Sequence, residues 1–272
     1  MIFGASTFSF IRQEVAITSM RRLRRLGYRH MDILAVPGHL WPPELDARAR
    51  NELRRSLERD DIVVDSINPQ PVDLNIGSAL TEVRVYSIAS YTEAIRLATE
   101  LGARAVVVVP GRVSPKLPPR YEDTLRWTAD SVATLSDVAR ETGLEVVLLE
   151  SHPTTGVPTA TALGELLDAV DADNVKVAYD VANAEFIGED QIAAIRMLGE
   201  RIGQTHLSDA RSGVWAHDPI GEGTVRFQDI LTEVDAAAPS AMNIVEIISE
   251  HPLTAYEDAA RALEIPLVSR VS

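Results

Sequence analysis

Eight short runs of apolar and β-branched residues alternate along the chain with segments of helical periodicity. The runs span residues 2–7, 30–34, 62–67, 105–109, 144–150, 175–180, 203–208 and 243–248. Parallel strands that are buried on both faces consist of near-continuous apolar residues, because helices cover the two sides of their sheet. The alternation therefore predicts a parallel sheet of eight strands, each followed by a helix.

The segments between the runs support this reading. Residues 91–101 place apolar side chains on one face of a helix, and Gly102 follows as the expected C-terminal cap. A chain of 272 residues accommodates eight strand and helix units, which suits a closed (β/α)₈ barrel of about 250 residues. A doubly wound open sheet is the structural alternative, but no dinucleotide-binding or P-loop glycine motif is present. We find no linker and predict a single (β/α)₈ TIM barrel domain over residues 1–272.

Charge and composition exclude several classes of function. The formal net charge of -14 repels phosphate backbones and anionic membranes, so neither nucleic acid nor membrane is an expected partner. The sequence contains no cysteine, which excludes disulfides, thiolate metal sites and a cysteine nucleophile. Residues 1–7 lack the charged start of a signal peptide, and no run of 18 apolar residues occurs. These features predict a cytoplasmic protein.

The last four apolar runs each end on or beside a polar residue that stability alone does not favour. These residues are Glu150, Asp180, His206 and Glu246. The C-terminal ends of all strands in such a barrel meet at one mouth, where active sites are built. Three acids and an imidazole buried together would repel one another unless a cation joined them. We therefore predict one divalent metal ion bound by all four residues.

The donor set restricts the choice of metal. Three carboxylates and one imidazole are hard to borderline ligands, which suits Mn²⁺, Mg²⁺ or Co²⁺, allows Zn²⁺ and disfavours copper. Mn²⁺ is the predicted ion. A single acid at a strand end more often caps the following helix or pairs with an arginine. The set of four in strand order, rather than any one member, indicates the metal.

Three short motifs accompany the four residues. They are E-S-H at 150–152, H-L-S-D at 206–209 and H-D-P-I-G-E-G at 217–223. Together with the order of Glu, Asp, His and Glu on strands five to eight, they resemble the xylose isomerase-like TIM barrel superfamily. The resemblance covers almost the whole chain. That superfamily includes sugar isomerases and epimerases, hydroxypyruvate isomerase, inosose dehydratase and endonuclease IV.

The resemblance implies that Glu150 and Glu246 are both metal ligands and catalytic proton-transfer groups. It implies an isomerase or epimerase of carbohydrate metabolism, acting on a small ketose or related polyhydroxylated keto compound through a metal-stabilised enediolate. A lyase that dehydrates a keto-inositol or cyclic keto acid is the alternative, because loss of a β-hydroxyl can follow the same proton removal. A metal-binding or sugar-binding subunit of low activity is a third reading. Members of the family are often dimers or tetramers, which implies a homodimer or homotetramer.

Two positions depart from the family pattern. Asn183 stands where the family commonly has the histidine of D-x-x-H, and an amide cannot act as a general base near pH 7. Endonuclease IV also has D-x-H where this chain has W-A-H at 215–217. These changes and the acidic net charge argue against an abasic-site endonuclease.

Further residues around the predicted mouth are candidates for contact with the substrate. They are His152, Asn183, His217, Arg112, Trp215 and Glu222. His152 follows Glu150 by two residues and therefore points to the same side of an extended chain, although a loop histidine can equally bond to backbone. Arg112, if it faces the pocket, would favour a carboxylate or phosphate on the substrate.

Three polar residues have predicted supporting roles. The carboxylate of Asp209 is predicted to accept from a ligand imidazole and so orient it, with a helix cap as the alternative. Asp32 and Asn68, at the ends of strands two and three, are expected to line the mouth away from the metal.

Overall fold

Parallel strands close into an eight-stranded barrel in the computed structural model, which describes residues 1–69 and 73–267. The strands are β1 (Ile2–Ser6), β2 (His30–Ala35), β3 (Val63–Pro69), β4 (Ala105–Val108), β5 (Val146–Glu150), β6 (Val175–Asp180), β7 (Ile202–Leu207), β8 (Asp209–Arg211), β9 (Val214–Asp218) and β10 (Met242–Val245). The barrel order is β1-β10-β7-β6-β5-β4-β3-β2, and β8 pairs with β9 in a separate antiparallel hairpin. The predicted (β/α)₈ TIM barrel is confirmed.

Helices follow the barrel strands. They are α1 (Ala16–Leu26), α2 (Ala47–Arg59), α3 (Thr81–Leu101), α4 (Tyr121–Thr142), α5 (Ala160–Val170), α6 (Val181–Ile187), α7 (Gln191–Leu198), α8 (Phe227–Ala237) and α9 (Pro252–Ala262). Helix α3 ends at Gly102, whose φ of 73° is the left-handed conformation predicted for this cap. Within the two described ranges, none of the helices combines the length and the apolar character needed to span a membrane.

Successive side chains of a barrel strand point alternately into the barrel and toward the surrounding helices. Val147 and Leu149 of β5 belong to the large core under the helices, whereas Leu148 packs with Ala178 in a small cluster inside the barrel. Side chains two residues apart on a strand share a face. Glu150, two residues after Leu148, therefore points into the barrel at the C-terminal end of β5, and Asp180 does the same on β6.

The eighth barrel strand is shorter than the apolar run that predicts it. The run extends to Ile248, but β10 ends at Val245, so Glu246 lies just beyond the strand. The backbone N–H of Glu246 still donates to the carbonyl of Leu207 at 2.9 Å. This hydrogen bond continues the pairing with β7 by one residue and fixes the position from which the Glu246 side chain enters the mouth.

Candidate active site and metal centre

The four predicted ligands meet at the C-terminal mouth of the barrel. Glu150 and Asp180 are the last residues of β5 and β6, His206 lies in β7, and Glu246 follows β10. One ligand atom from each residue lies within 4.8 Å of the other three, and each residue is at most 2% exposed. The sequence therefore identified a set of residues that the barrel brings together.

The imidazole of His206 faces the three carboxylates of this cluster. Its Nδ1 lies 3.4 Å from Oε1 of Glu150, 3.2 Å from Oε2 of Glu246 and 4.0 Å from Oδ2 of Asp180. Each of the four residues also has a buried polar atom without a hydrogen-bond partner, among them Nδ1 of His206 and Oδ2 of Asp180. One such buried atom costs about 1–3 kcal/mol. Three oxygen donors and one nitrogen donor with unused lone pairs fit a divalent cation.

The pKa shifts of the residues in the cluster also indicate a site that favours a cation. Burial alone would lower the pKa of His206, but the negative charges of Glu246 and Glu150 raise that pKa well above its usual value. Burial would raise the pKa of Glu246, yet the adjacent His206 holds it below its usual value. Burial raises the pKa of Asp180 to about 6. The cluster thus favours an added positive charge, which a proton or a metal ion can supply.

Asp180 divides its two carboxylate oxygens between the fold and the cluster. Its Oδ1 accepts a hydrogen bond from the backbone N–H of Asn183 at 2.7 Å and so caps helix α6. Its backbone N–H donates to Oγ of Ser151 at 3.0 Å. The cap fixes the side chain, and Oδ2 is left facing the ligand atoms.

Asp32 and Asn68 do not line the mouth away from the cluster, so that expectation is wrong. Nδ2 of Asn68 donates to Oε1 of Glu246 at 3.5 Å. Oγ of Ser6 lies 3.5 Å from the same oxygen and 3.1 Å from Oδ2 of Asp32. The reason is the closure of the barrel, because β1 lies between β2 and β10 and brings their ends together. Burial raises the pKa of Asp32 to about 7.

Sequence reasoning missed Gln204, which lies directly beside the ligand cluster. Its Nε2 is 2.8 Å from Nε2 of His206 and 3.2 Å from Oγ of Ser66. The sequence signal was available, since a residue two positions before an inward-pointing ligand on the same strand also points inward.

His217 reaches the cluster from strand β9. Its Nδ1 lies 3.8 Å from Oδ2 of Asp180 and 2.9 Å from Oγ of Ser208. The ring of Phe8 lies against it at a centroid distance of 6.1 Å. The predicted substrate residue His217 is therefore in place at the edge of the ligand cluster.

Asn183, Trp215 and His152 form one wall of the mouth. Nδ2 of Asn183 donates to the carbonyl of Ser151 at 2.9 Å, and its Oδ1 accepts from the indole N–H of Trp215 at 2.8 Å. The rings of Trp215 and His152 meet edge to face at 5.0 Å between centroids. The Asn183 amide thus ties the β8–β9 hairpin to the end of β5.

His152 and Arg112 are neighbours on two adjoining loops. Burial lowers the pKa of His152, Glu150 opposes this shift, and the charge of Arg112 adds to it. Nδ1 of His152 lies 3.0 Å from Oγ1 of Thr154, so the other ring nitrogen is the one directed away from its own loop. Arg112 has an exposed side chain at the rim.

The loop after the hairpin holds the two remaining predicted residues. Glu222 is exposed at its surface. The carboxylate of Asp209 accepts backbone hydrogen bonds from Ala210 at 3.0 Å, Gly221 at 2.8 Å and Val225 at 3.1 Å. These contacts hold the loop in place, and a role of Asp209 in orienting an imidazole stays a prediction.

Two solved structures of sugar epimerases share the fold of this chain. A D-psicose 3-epimerase from Clostridium cellulolyticum H10 superposes with a TM-score of 0.82 at 17% identity, over 97% of this chain and 98% of that one. A 3-keto-D-glucoside 4-epimerase from E. coli gives a TM-score of 0.80 at 19% identity, over 97% and 99% of the two chains. At such identities the likeness shows the shared fold alone.

Sequence relatives extend the comparison. An uncharacterised protein of Methanocaldococcus jannaschii is 25% identical over 239 residues, which are 86% of this chain and 79% of that protein. An inosose dehydratase from Geobacillus thermodenitrificans is 26% identical over 176 residues, 54% of this chain and 58% of the dehydratase. The family model of the xylose isomerase-like TIM barrel matches residues 20–265. The chain therefore belongs to the xylose isomerase-like TIM barrel family.

Proposed function

We propose that this chain is a divalent-metal-dependent isomerase or epimerase of a small ketose or a related polyhydroxylated keto compound, with Mn²⁺ as its metal. The observation that carries the proposal is the buried cluster of Glu150, Asp180, His206 and Glu246, whose ligand atoms lie within 4.8 Å of one another. Asp180 and His206 hold the ion, and Glu150 and Glu246 hold it and also move protons. The epimerases that share the fold support this choice of substrate class.

The chemistry needs a metal and two bases. A divalent ion held by the four residues would supply the polarisation of the substrate carbonyl and the stabilisation of the negative charge that develops when the neighbouring C–H proton leaves. One of the two glutamates removes that proton as a general base. An isomer forms if the same glutamate returns the proton to the adjacent carbon while a second proton moves between the two substrate oxygens. An epimer forms if the other glutamate supplies a proton to the opposite face of the original carbon.

The two glutamates are prepared for this role by different surroundings. Asn68 and Ser6 lie 3.5 Å from Oε1 of Glu246, which leaves Oε2 to face the cluster. Glu150 has Oε1 near His206 and a buried Oε2 without a hydrogen-bond partner. Each carboxylate therefore has an unused oxygen that can take or give a proton.

The wall and rim of the mouth supply contacts for the substrate. His152 is neutral near pH 7 because burial lowers its pKa, and with Nδ1 engaged by Thr154 it offers Nε2–H to a sugar oxygen. Trp215 covers the mouth with an apolar face, and Asn183 holds its indole in position. His217 contacts the substrate beside the metal, while Arg112 and Glu222 meet its distal end from the rim.

A lyase that dehydrates a keto-inositol or cyclic keto acid is the second candidate. The inosose dehydratase relative, 26% identical over 54% of this chain, favours it. The same glutamates would remove the proton, and a β-hydroxyl would leave in place of proton return. The two candidates differ in their products and not in their first step.

Turnover in D₂O tests the proposal. We expect the Mn²⁺-loaded protein to exchange a carbon-bound proton of ketohexoses, with epimers or isomers visible by NMR; a keto-inositol that gives enone absorbance would favour the lyase. Glu246→Gln should lower the rate by about 10²–10⁴-fold, because a positioned base contributes that much. Glu145→Gln is the control, since Glu145 is exposed at the opposite end of β5. Absence of exchange with every substrate, or equal rates for Glu246→Gln and wild type, would contradict the proposal.

A further inference from the structure

Gln204 meets the ring nitrogen of His206 that faces away from the carboxylates. The two side chains are fully buried inside the barrel, and their Nε2 atoms are 2.8 Å apart. Two nitrogen atoms at this distance share one hydrogen, which one donates and the other accepts. An amide nitrogen can only donate. With the amide in this orientation, Nε2 of His206 accepts, so the hydrogen of a neutral ring lies on Nδ1.

Metal binding sets the opposite requirement at this contact. Nδ1 of His206 is the ring atom that faces Glu150 and Glu246, so a metal among these residues takes the Nδ1 lone pair. A neutral imidazole that gives Nδ1 to a metal carries its proton on Nε2. Gln204 must then accept, and its Oε1 is a buried acceptor without a hydrogen-bond partner. A half turn of the amide exchanges its oxygen and nitrogen.

We propose that Gln204 is a positioning residue for the metal site, with its amide oxygen accepting the Nε2–H of His206. In this arrangement the amide holds the imidazole so that Nδ1 points at the ion. The inference rests on the proposed metal-dependent function and adds to it a residue that neither binds the metal nor touches the substrate.

Ser66 is the second contact of the Gln204 amide. Nε2 of Gln204 donates to Oγ of Ser66 at 3.2 Å, and that hydroxyl donates to Oδ1 of Asp32 at 2.5 Å. When the half turn brings the amide oxygen to this place, the hydroxyl of Ser66 turns its hydrogen from Asp32 to the amide. A metal-bound histidine usually gives its second N–H to a carboxylate, a carbonyl or water. Here an amide and a hydroxyl stand between His206 and the carboxylate of Asp32. The amide supplies the acceptor without bringing a fourth negative charge against the three already in the cluster.

Two variants of Gln204 separate positioning from packing. Gln204→Met keeps the length of the side chain and removes the acceptor, so Mn²⁺ affinity should fall by about 10–100-fold. Gln204→Glu keeps an acceptor oxygen and should bind Mn²⁺ more tightly than Gln204→Met. A packing role alone predicts the reverse order, because methionine preserves an uncharged interior and glutamate buries a new charge. Isothermal titration of the full chain with MnCl₂ measures both affinities.

The neighbouring residue on β7 provides the matched control. Thr205 is equally buried and donates to Oδ1 of Asn243 at 2.8 Å, outside the ligand cluster. Thr205→Val removes one buried hydrogen bond from the same strand and should leave Mn²⁺ affinity unchanged. Circular dichroism of each variant identifies any that fails to fold.

A nitrogen-15 NMR spectrum of the Zn²⁺-loaded protein gives a second readout. In the wild type, Nε2 of His206 should carry a slowly exchanging proton, and Gln204→Met should make that proton exchange rapidly. Wild-type affinity in Gln204→Met, or affinities in the packing order, would overturn the inference while leaving the metal site intact. If the wild type binds no divalent metal, the proposed function is contradicted and the inference is overturned with it.

Discussion

The buried carboxylates at the two mouths of the barrel differ in whether the chain gives them an arginine or lysine partner. At the N-terminal mouth, Asp65 is 3% exposed and is paired with Arg104 through two hydrogen bonds of 3.2 and 3.1 Å. At the C-terminal mouth, Glu150, Asp180 and Glu246 are equally buried. Among the described residues no arginine or lysine lies within 4.0 Å of these three carboxylates, and histidine is their only basic neighbour.

This difference distinguishes a carboxylate that stabilises the fold from carboxylates that remain available to a positively charged ligand. An acid paired with an arginine of the same chain is satisfied as soon as the chain folds. An acid without such a partner retains its demand for positive charge after folding, and a ligand can meet that demand. The N-terminal mouth therefore contributes to stability, whereas the acids of the C-terminal mouth lower stability and form a cluster that can hold a cation.

Breaking the pair at the N-terminal mouth should produce the largest change in stability. Arg104→Met leaves Asp65 buried without a cation, and breaking a buried pair costs about 3–5 kcal/mol. Urea denaturation of the metal-free protein measures the loss in the free energy of unfolding. Mn²⁺ affinity of the folded variant should match that of wild type. A loss smaller than about 1 kcal/mol, the range of exposed pairs, would show that this mouth does not depend on its ion pair.

Neutralising an acid at the C-terminal mouth should instead increase the free energy of unfolding of the metal-free protein. Burial raises the pKa of Asp180 to about 6, above the value of about 3.9 in an unfolded chain, so folding favours its protonated form. The stability from that form is present below pH 4 and is lost as the pH rises through 6. Asn keeps the helix cap and cannot ionise. Asp180→Asn should therefore stabilise the metal-free protein by about 1–3 kcal/mol at pH 8 and by little at pH 4.

An exposed cap offers the control for this comparison. Asp190 caps α7 by accepting from Ala193 at 3.1 Å, but its side chain is exposed. Asp190→Asn should change stability little at either pH. If Asp180→Asn were less stable than wild type at pH 8 without metal, the acids of the C-terminal mouth would not lower the stability of the fold.

A smaller effect should appear in the pH dependence of metal binding. The pKa of His206 is raised well above its usual value, so between pH 6 and pH 8 a metal must displace a proton from this ligand. Asp180, whose pKa is raised to about 6, is mostly ionised above that pH and adds little. Mn²⁺ affinity should therefore rise from pH 6 to pH 8, by about tenfold per pH unit for each proton displaced. Calorimetry in two buffers of different ionisation enthalpy counts the released protons, and a pH-independent affinity would contradict the account.

Much of the fold follows from local rules. The apolar runs predicted all eight barrel strands, because a strand buried on both faces leaves a continuous apolar signal. The β8–β9 hairpin left no such signal, since Val214 and Trp215 of β9 are exposed and β9 pairs with β8 outside the barrel. Its position depends on the contact between Trp215 and Asn183, which joins two distant parts of the chain.

The site was predictable where residue chemistry was unusual and unpredictable where it was ordinary. Acids at the ends of apolar strands are costly to bury, so Glu150 and Asp180 stand out in the amino-acid sequence itself. Gln204 and Ser66 are common residue types, and their importance arises from contacts across the barrel. The misplacement of Asp32 has the same origin, because barrel closure and not sequence distance brings it close to Glu246.

The proposed function depends on one divalent ion bound by Glu150, Asp180, His206 and Glu246. Anomalous diffraction from crystals of the Mn²⁺-loaded protein locates this ion and its ligands together. We expect one strong peak per chain at the C-terminal mouth, bonded to all four residues. A map with no peak among them, or with the ion held by other side chains, would contradict this expectation.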